Sequence, residues 1–533
     1  MYDLVGKIAL VIFSQMAASS LGRFYAHMYQ LNGYKTYEEW TWLKKNAYEN
    51  FGRGLGVLIS IFVPWPIGCF LYLWTFWGNK PDKTRIRKPI AYTGRLKRIL
   101  SVAIIIHITI YVLSFIFLKG ILFRLVIAMS LLLTPFVMML ANLFLKPVQK
   151  AIDNYYIRDS LKVLKNSSCK IIGITGSYGK TSVKNILTTI LSEKYSCLPT
   201  PGNVNTPLGI CRVIRGDLSP FHELFICEMG ARRTGEIKEI CDYYKPDYGI
   251  ITSIGDCHLE TFKSRENIRK TKFELFDAAK ETVLNLRDEN ICLRLEELGK
   301  KDLSGNKPEI CDNNAYNQKL NFIDDEVPGG IIPCGYGKFF NPYDMSIDSD
   351  GMHFKVLLPS NEELSLCTKL LGDYQVMNIC AAIALAYRLG LNSRQITNGV
   401  SKIAPIKNRL ELKKYGDCTI LDDAYNSNPK GANTALEVLS HFPGKKILIT
   451  PGMVELGDKH QEKNEEFGVA AAKVCDIIFL ISSNADPVED GLKKAGFKEY
   501  VRLNDFNTAY SQAMAMKCEK TILIENDVPD QYL

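Results

Sequence analysis

The stretch Gly173-Ile-Thr-Gly-Ser-Tyr-Gly-Lys-Thr-Ser182 decides the fold of this chain. A short apolar run, Cys169-Lys-Ile-Ile172, precedes it, and a helix-like run from Val183 to Ser192 follows. Strand, glycine-rich turn, Lys-Thr and helix together make a phosphate cradle. Glycines let backbone N–H groups approach the anion, and the helix N-terminus adds its dipole. Gly176, Ser177, Gly179 and Ser182 form the wall of the cradle, Lys180 reaches the β- and γ-phosphates, and Thr181 serves Mg²⁺. The spacing departs from the common G-x-x-x-x-G-K-[ST] form, because Ile174 stands where the first glycine would be. The strand before and the helix after favour a nucleotide site over a chance glycine turn.

Downstream, short β-rich runs alternate with helical stretches. Leu224–Cys227, Tyr248–Thr252, Thr282–Asn285, Cys418–Leu421, Lys446–Thr450 and Ile477–Ile481 are the clearest strands. This is the pattern of an α/β protein with parallel sheets flanked by helices. Residues 300–370 read as shorter strands and turns, an antiparallel insertion. A break near Ser401–Lys407 divides an ATP-binding region, 162–402, from a C-terminal α/β region, 403–533.

Upstream, residues 1–150 form a different kind of domain. Leu4–Leu21, Leu55–Trp77, Ile99–Leu118 and Ile121–Leu145 are apolar, and the last two approach or exceed the length that crosses a bilayer. Pro64 and Pro66 make the second a kinked or re-entrant segment. Charge follows the same division. Residues 1–165 hold 21 Lys and Arg against 7 Asp and Glu, and the remainder holds 44 against 50. Basic residues beside apolar spans set membrane topology, so nucleic acid is not an expected partner. Lys80–Arg98 carries eight Lys or Arg and one acid, which places it in the cytoplasm. Spans three and four then turn at Lys119-Gly120, and the chain returns to the cytoplasm at Lys146, where ATP is available. In a four-span arrangement Gly22–Arg53 is external, although it carries five Lys or Arg. The 15 cysteines form no C-x-x-C pair, which fits a reducing compartment and suggests neither a zinc site nor a redox motif.

Further segments stand in a telling order: GNVNTPLG (202–209), EMGARRTGEI (228–237), ITSIGDCHLETFKSRENIRKTKFELF (251–276), LNLRDE (284–289), GDYQVMNICAA (372–382), NRLE (408–411), DDAYNSNP (422–429) and PGMVELG (451–457). Over residues 166–533 the chain resembles the Mur ligases of bacterial cell-wall synthesis. The nearest branch is the one that joins D-alanyl-D-alanine to a UDP-N-acetylmuramoyl-tripeptide. The resemblance implies a central ATPase domain, a C-terminal Rossmann-like domain, and ATP-dependent amide-bond formation through an acyl phosphate. It also implies that Lys272 is carbamylated and serves a second Mg²⁺, and that Arg409 crosses to the γ-phosphate. Asp423, Tyr425, Asn426 and Asn428 would then face the nucleotide and the incoming amine.

The residue types suit this chemistry. Phosphoryl transfer needs positioning and charge neutralisation more than a protein nucleophile. Glu228 ends a buried strand, where an isolated carboxylate is costly without a cation. His258 follows another strand and offers a second metal ligand. On the resemblance, Asn285 and Asp288 would contact the adenine side. Each has a plainer reading: a turn cap for Glu228, a loop histidine for His258, a solvated basic face for Lys272, and polar turns for 285–288 and 423–428.

Three departures from the family pattern stand out. Arg232-Arg233 replaces Asn-His, Gly372-Asp-Tyr-Gln375 replaces G-x-H-N, and apolar spans replace the uridine-nucleotide-binding N-terminal domain. The expected protein is therefore a multi-pass ligase of the bacterial cell membrane with cytoplasmic catalytic domains. It would use ATP and two Mg²⁺ ions. It would join an amino-acid or dipeptide amine to a membrane-associated, lipid-linked envelope precursor, in contact with the bilayer and with other envelope-synthesis enzymes. The alternatives are the D-alanyl-D-alanine-adding enzyme with an unusual anchor and a non-catalytic ATP-binding membrane scaffold.

Overall fold

The computed structural model describes residues 2–78, 89–257, 259–298, 330–348, 351–405, 410–424, 429–454, 456, 459–481 and 485–526. The chain divides into two compact units, Met1–Tyr155 and Tyr156–Leu533.

The first unit is helical. Among the described residues, Leu4–Leu31 and Gly94–Phe117 are long and apolar enough to cross a membrane. At 1.5 Å per residue, the 24 residues of the second rise about 36 Å. Gly120–Leu132 and Thr134–Lys165 pass the same test only as a pair, bent by 67°. The apolar stretch expected at Leu55–Trp77 is not one helix. It is split into Ala47–Ile59 and Trp65–Gly78, of 13 and 14 residues, each about 20 Å long. Pro64 and Pro66 account for the break, since a proline lacks the N–H that an interior helical turn needs but is tolerated in a first turn. The two short helices lie against each other, with Gly56 facing Leu71 and Thr75.

Polar contacts mark the two ends of this unit. At one end Gln30 exchanges two hydrogen bonds with the backbone of Ala91, at 2.7 and 2.9 Å. Tyr34 and Thr93 hydroxyls are 3.3 Å apart there, and Asn142 Nδ2 donates to Tyr29 Oη at 2.7 Å. At the other end Lys7 Nζ donates to the Leu118 carbonyl at 2.9 Å, and Arg124 to that of Val63 at 2.6 Å. The segment around Gln30–Tyr34 thus shares an end with Ala91–Thr93, whereas the four-span arrangement puts Gly22–Arg53 and Lys80–Arg98 on opposite sides. Residues 80–88 lie outside the described residues.

The second unit carries the α/β pattern. Strands β1 (Lys170–Thr175), β2 (Cys197–Pro199), β3 (Leu224–Glu228), β4 (Tyr248–Ile251), β5 (Glu281–Asn285) and β6 (Ile331–Cys334) form one parallel sheet in the order β2-β3-β1-β4-β5-β6. Its strands are nearly continuous buried runs, as a parallel sheet covered on both faces requires. β1 is where the strand order reverses, so the crevice at its carboxyl end is the expected ligand site. The insertion is antiparallel, as its alternating pattern predicts: β7 (Pro342–Asp348), β8 (Gly351–Leu357) and β9 (Glu363–Thr368). A third sheet holds β10 (Glu411–Tyr415), β11 (Cys418–Asp423), β12 (Lys445–Thr450), β13 (Ile477–Ile481), β14 (Tyr500–Leu503) and β15 (Lys520–Glu525), ordered β10-β11-β15-β12-β13-β14. Only the β10–β11 pair in it is antiparallel. The almost wholly buried helix Asp373–Arg388 joins the core of the first sheet to that of the third.

Candidate active site

The phosphate loop runs from the end of β1 to the helix Lys180–Leu191. Two of its glycines are forced by geometry. A Cβ on Gly176 would strike the hydroxyl of Thr252, and one on Gly179, at φ +79°, would strike Tyr374 and Asn378. The loop is pinned from β4's side. Ser177 N–H donates to Ser253 O at 2.7 Å, Ser177 Oγ donates to Gly255 O at 3.0 Å, and Tyr178 Oη donates to Asp256 O at 2.9 Å. Lys180 curls onto the loop, its Nζ 2.7 Å from Gly176 O and 3.2 Å from Ser177 O. Ser182 is buried, and its Oγ has no hydrogen-bond partner among the described residues.

Glu228 stands at the end of β3, in register with Ile174 of β1, and is 1% exposed. Thr181 Oγ1 donates to its Oε2 at 2.9 Å. Lys184 Nζ lies 3.2 Å from the same oxygen and is equally buried. Asn205 Nδ2 donates to Oε1 at 3.2 Å. The burial of Glu228 is therefore compensated by a cation of the protein itself, a residue the sequence reading did not single out. A signal for it existed. Lys184 follows Lys180 by four residues, on a helix whose neighbouring positions Val183, Ile186 and Leu187 are apolar core.

Lys272 lies on the helix Arg265–Ala278, and the solvated-face reading does not hold for it, since it is 1% exposed. Its Nζ is 5.8 Å from the centre of the Phe262 ring. Burial, with the charge of Lys180 as the second cause, lowers its pKa to about 8. Exposed Lys270 pairs instead with Glu266 at 2.5 Å, one turn back on the same helix. Asp288 is drawn into local structure. Its carboxylate accepts Ile254 N–H at 3.0 Å and caps the helix Glu289–Glu297 through the N–H groups of Asn290 and Ile291. Asn285 turns inward as well, bonding Thr252 O at 3.4 Å and Arg287 N–H at 3.1 Å. Asp423 ends β11, where it accepts Leu410 N–H at 3.0 Å. His258, Arg409, Tyr425, Asn426 and Asn428 lie outside the described residues.

Two further features were not anticipated. Asp256, beside the loop, pairs with Arg265, whose hydrogen bond holds its carboxyl below the usual range. It also meets Lys459 of the C-terminal region at 3.3 Å, tying the two α/β regions together next to the phosphate loop. The departure at 372–375 is also located, with Tyr374 resting over Gly179 and Gln375 accepting from Asn378 at 3.1 Å.

The donor set can be tested against a cation. Among the described residues no three His, Cys, Asp or Glu side chains converge on one point. One carboxylate and one hydroxyl at a helix N-terminus, all hard oxygen donors, do fit Mg²⁺, which takes few protein ligands and completes its shell with water and phosphate oxygens.

Comparison with known proteins agrees with this geometry. Residues 174–386 match the Mur ligase middle domain and 408–524 the Mur ligase glutamate ligase domain. UDP-N-acetylmuramoyl-tripeptide–D-alanyl-D-alanine ligase of Bacillus subtilis is 28% identical over 342 residues, which are 63% of this chain and 68% of that one. The Escherichia coli protein of the same name is 26% identical over 303 residues, 57% of this chain and 62% of that one. Among solved structures, MurF of Acinetobacter baumannii superposes with a TM-score of 0.59 at 22% identity, over 70% of this chain and 77% of that one. MurF ligase of Thermotoga maritima, in complex with ADP, gives 0.58 at 24% identity, over 70% and 80%. The chain therefore belongs to the Mur ligase family, whose members are ATP-dependent acid–amino-acid ligases, with the family's middle domain carrying the phosphate loop, Glu228 and Lys272.

Proposed function

We propose that this protein joins a D-alanyl-D-alanine-type amine to the terminal carboxylate of a muramoyl-peptide acceptor, at the expense of ATP. The observation that carries this reading is the pairing of Thr181 with Glu228 beside the loop that holds Lys180, together with a buried lysine, Lys272, whose pKa is lowered to about 8 by burial and by the charge of Lys180. The names of the relatives supply the amine and the acceptor.

The chain's own groups account for the steps. The acceptor carboxylate attacks the γ-phosphorus of ATP, the bond to the β-γ bridging oxygen breaks, and ADP leaves. The neutral amine then attacks the acyl carbon, the C–O bond to phosphate breaks, and the nitrogen gives its surplus proton to the departing phosphate or to water. Lys180 and the N–H groups opening its helix take up charge on the phosphoryl oxygens. Thr181 and Glu228 would hold one Mg²⁺, which neutralises charge developing between the β- and γ-phosphates. Neutral Lys272 Nζ attacks CO₂, forms an N–C bond and releases a proton to water. The resulting carbamate would offer anionic oxygens to hold a second Mg²⁺. His258 and Arg409 are assigned to that second ion and to the γ-phosphate, and Tyr425 and Asn426 to the nucleotide and amine, on the family pattern.

A membrane location is favoured by the helical unit at Met1–Tyr155. Its polar ends support three crossings. Leu4–Leu31, Gly94–Phe117 and the bent pair after Gly120 cross, and the short helices Ala47–Ile59 and Trp65–Gly78 form a re-entrant hairpin. Arg23, Lys35, Lys44 and Lys45 then join Arg95, Lys97 and Arg98 on the cytoplasmic side, which removes most of the charge conflict of four spans. This arrangement supports a second reading, in which the acceptor is lipid-linked. The test is phosphate release by the full chain in lipid nanodiscs with ATP, Mg²⁺ and D-alanyl-D-alanine. Release with soluble UDP-N-acetylmuramoyl-tripeptide supports the first acceptor, and release only with its lipid-linked counterpart supports the second. Release that is indifferent to the amine overturns the ligase reading.

A further inference from the structure

Lys184 is the least expected member of the site. It is 1% exposed, and its ammonium makes two strong contacts that join two elements. One is to Glu228 Oε2 at 3.2 Å; the other is a short hydrogen bond to the carbonyl of Gly202. Asn205 binds the other oxygen of the same carboxylate, and its own carbonyl accepts Gly230 N–H at 2.9 Å. Thr206, next in the chain, caps the helix Pro207–Asp217. The segment Gly202–Thr206 is therefore fastened to Glu228 at two points, one of which is a full positive charge.

A carboxylate offers about four lone-pair sites, and Oε2 already receives Thr181 and Lys184. A divalent cation on Thr181 and Glu228 would stand within a few ångströms of the Lys184 ammonium, in a buried place where like charges repel strongly. The two positive charges therefore compete for one carboxylate. We propose that Lys184 is the resident counter-cation of Glu228, that a divalent ion must outcompete it, and that its displacement transmits filling of the metal site to the Gly202–Thr206 loop. This rests on the assignment of Glu228 as a metal ligand. Lys184 is thus a positioning residue. It holds the Glu228 side chain and the loop in place before the metal arrives, and it lowers the site's affinity for an ion that is not accompanied by nucleotide phosphate.

The test is Mn²⁺ binding to the full-length, nucleotide-free protein, followed by electron paramagnetic resonance of the free ion. Glu228→Gln should weaken binding by more than roughly tenfold, whereas Lys184→Gln should tighten it by roughly tenfold, because the competing charge is gone. In the double variant the gain from Lys184→Gln should vanish. Thermal melting provides the second readout. Lys184→Gln should melt lower than wild type without metal and regain more of its stability when Mn²⁺ is added, and Lys184→Met should do the same if the glutamine side chain restores part of the contact. Hydrogen exchange at residues 203–206 should respond to Mn²⁺ in the wild type and not in Lys184→Gln. If Glu228→Gln leaves affinity unchanged, the metal-ligand assignment itself fails. If Glu228→Gln weakens binding but Lys184→Gln leaves it unchanged or weaker, the competition fails while the assignment stands. A variant that folds only with metal present supports the proposal, and one that folds with neither Mn²⁺ nor Mg²⁺ overturns it.

Discussion

Lys272 gives the sharpest test of the proposed chemistry. An exposed lysine, with a pKa near 10.4, is neutral in only about 0.1% of molecules at pH 7.5. With its pKa lowered to about 8 by burial and by Lys180, Lys272 is neutral in roughly a quarter of them. The nucleophilic fraction available to CO₂ thus rises by roughly two hundredfold. Once formed, the carbamate places an anion beside Lys180, so the second cause of the lowered pKa favours the product, while burial, the first cause, opposes its charge until a cation joins it. The wild-type protein, stripped of CO₂ at pH 6.5 and assayed in CO₂-free buffer, should lose most of its amine-dependent phosphate release. Bicarbonate should restore it. At a fixed concentration of dissolved CO₂, the rate of recovery should climb as pH rises toward 8 and level off above, because the neutral amine accumulates through that pKa. Lys272→Ala should fall by roughly a hundredfold or more and regain part of its activity with a short carboxylate such as acetate. Full turnover by Lys272→Ala, or wild-type activity insensitive to CO₂, would refute the reasoning.

Other outcomes follow from particular contacts. Lys180→Ala should abolish ATP-dependent phosphate release, by at least about a thousandfold, while leaving membrane insertion intact; full turnover by the purified variant would sink the assignment of the loop. Glu525, fully buried at the end of β15, has its pKa raised to about 8 by burial and by Asp423. The folded state then holds a proton that the unfolded chain gives up near 4.5, so stability from this group is present below pH 4.5 and is lost as pH rises toward 8. Glu525→Gln should flatten that decline in melting curves taken from pH 5 to 8, and an unchanged pH slope would contradict it. Cysteines placed at Lys35 and Thr93 should both be shielded from an impermeant reagent in intact cells, and one placed at Lys119 should be labelled; labelling at Lys35 alone would restore the four-span arrangement.

Local pattern carried the phosphate loop, because a strand, a glycine turn and a helix N-terminus are contiguous and their spacing is itself the geometry. It also carried the alternation of strands and helices. Every strand run read from composition appears within a residue or two of its place, since parallel strands buried on both faces are short apolar runs bounded by turns. At Leu55–Trp77, where hydropathy is continuous, the two prolines signalled the kink, and the segment is two helices because they break the hydrogen-bond ladder.

The amino-acid sequence by itself determined the family, the nucleotide loop, the order of the catalytic segments and the presence of an apolar N-terminal region. Only the tertiary structure decided which charges meet. Lys184, Asn205 and Glu228 are separated by more than twenty residues at each step, and Asp256 and Lys459 by about two hundred, so no spacing reveals that they touch. Burial decided Lys272 as well. A lysine in a basic helix looks solvated from its neighbours in sequence, and its lowered pKa comes from burial near Phe262 and from the charge of Lys180, which the sheet brings together only once it has formed.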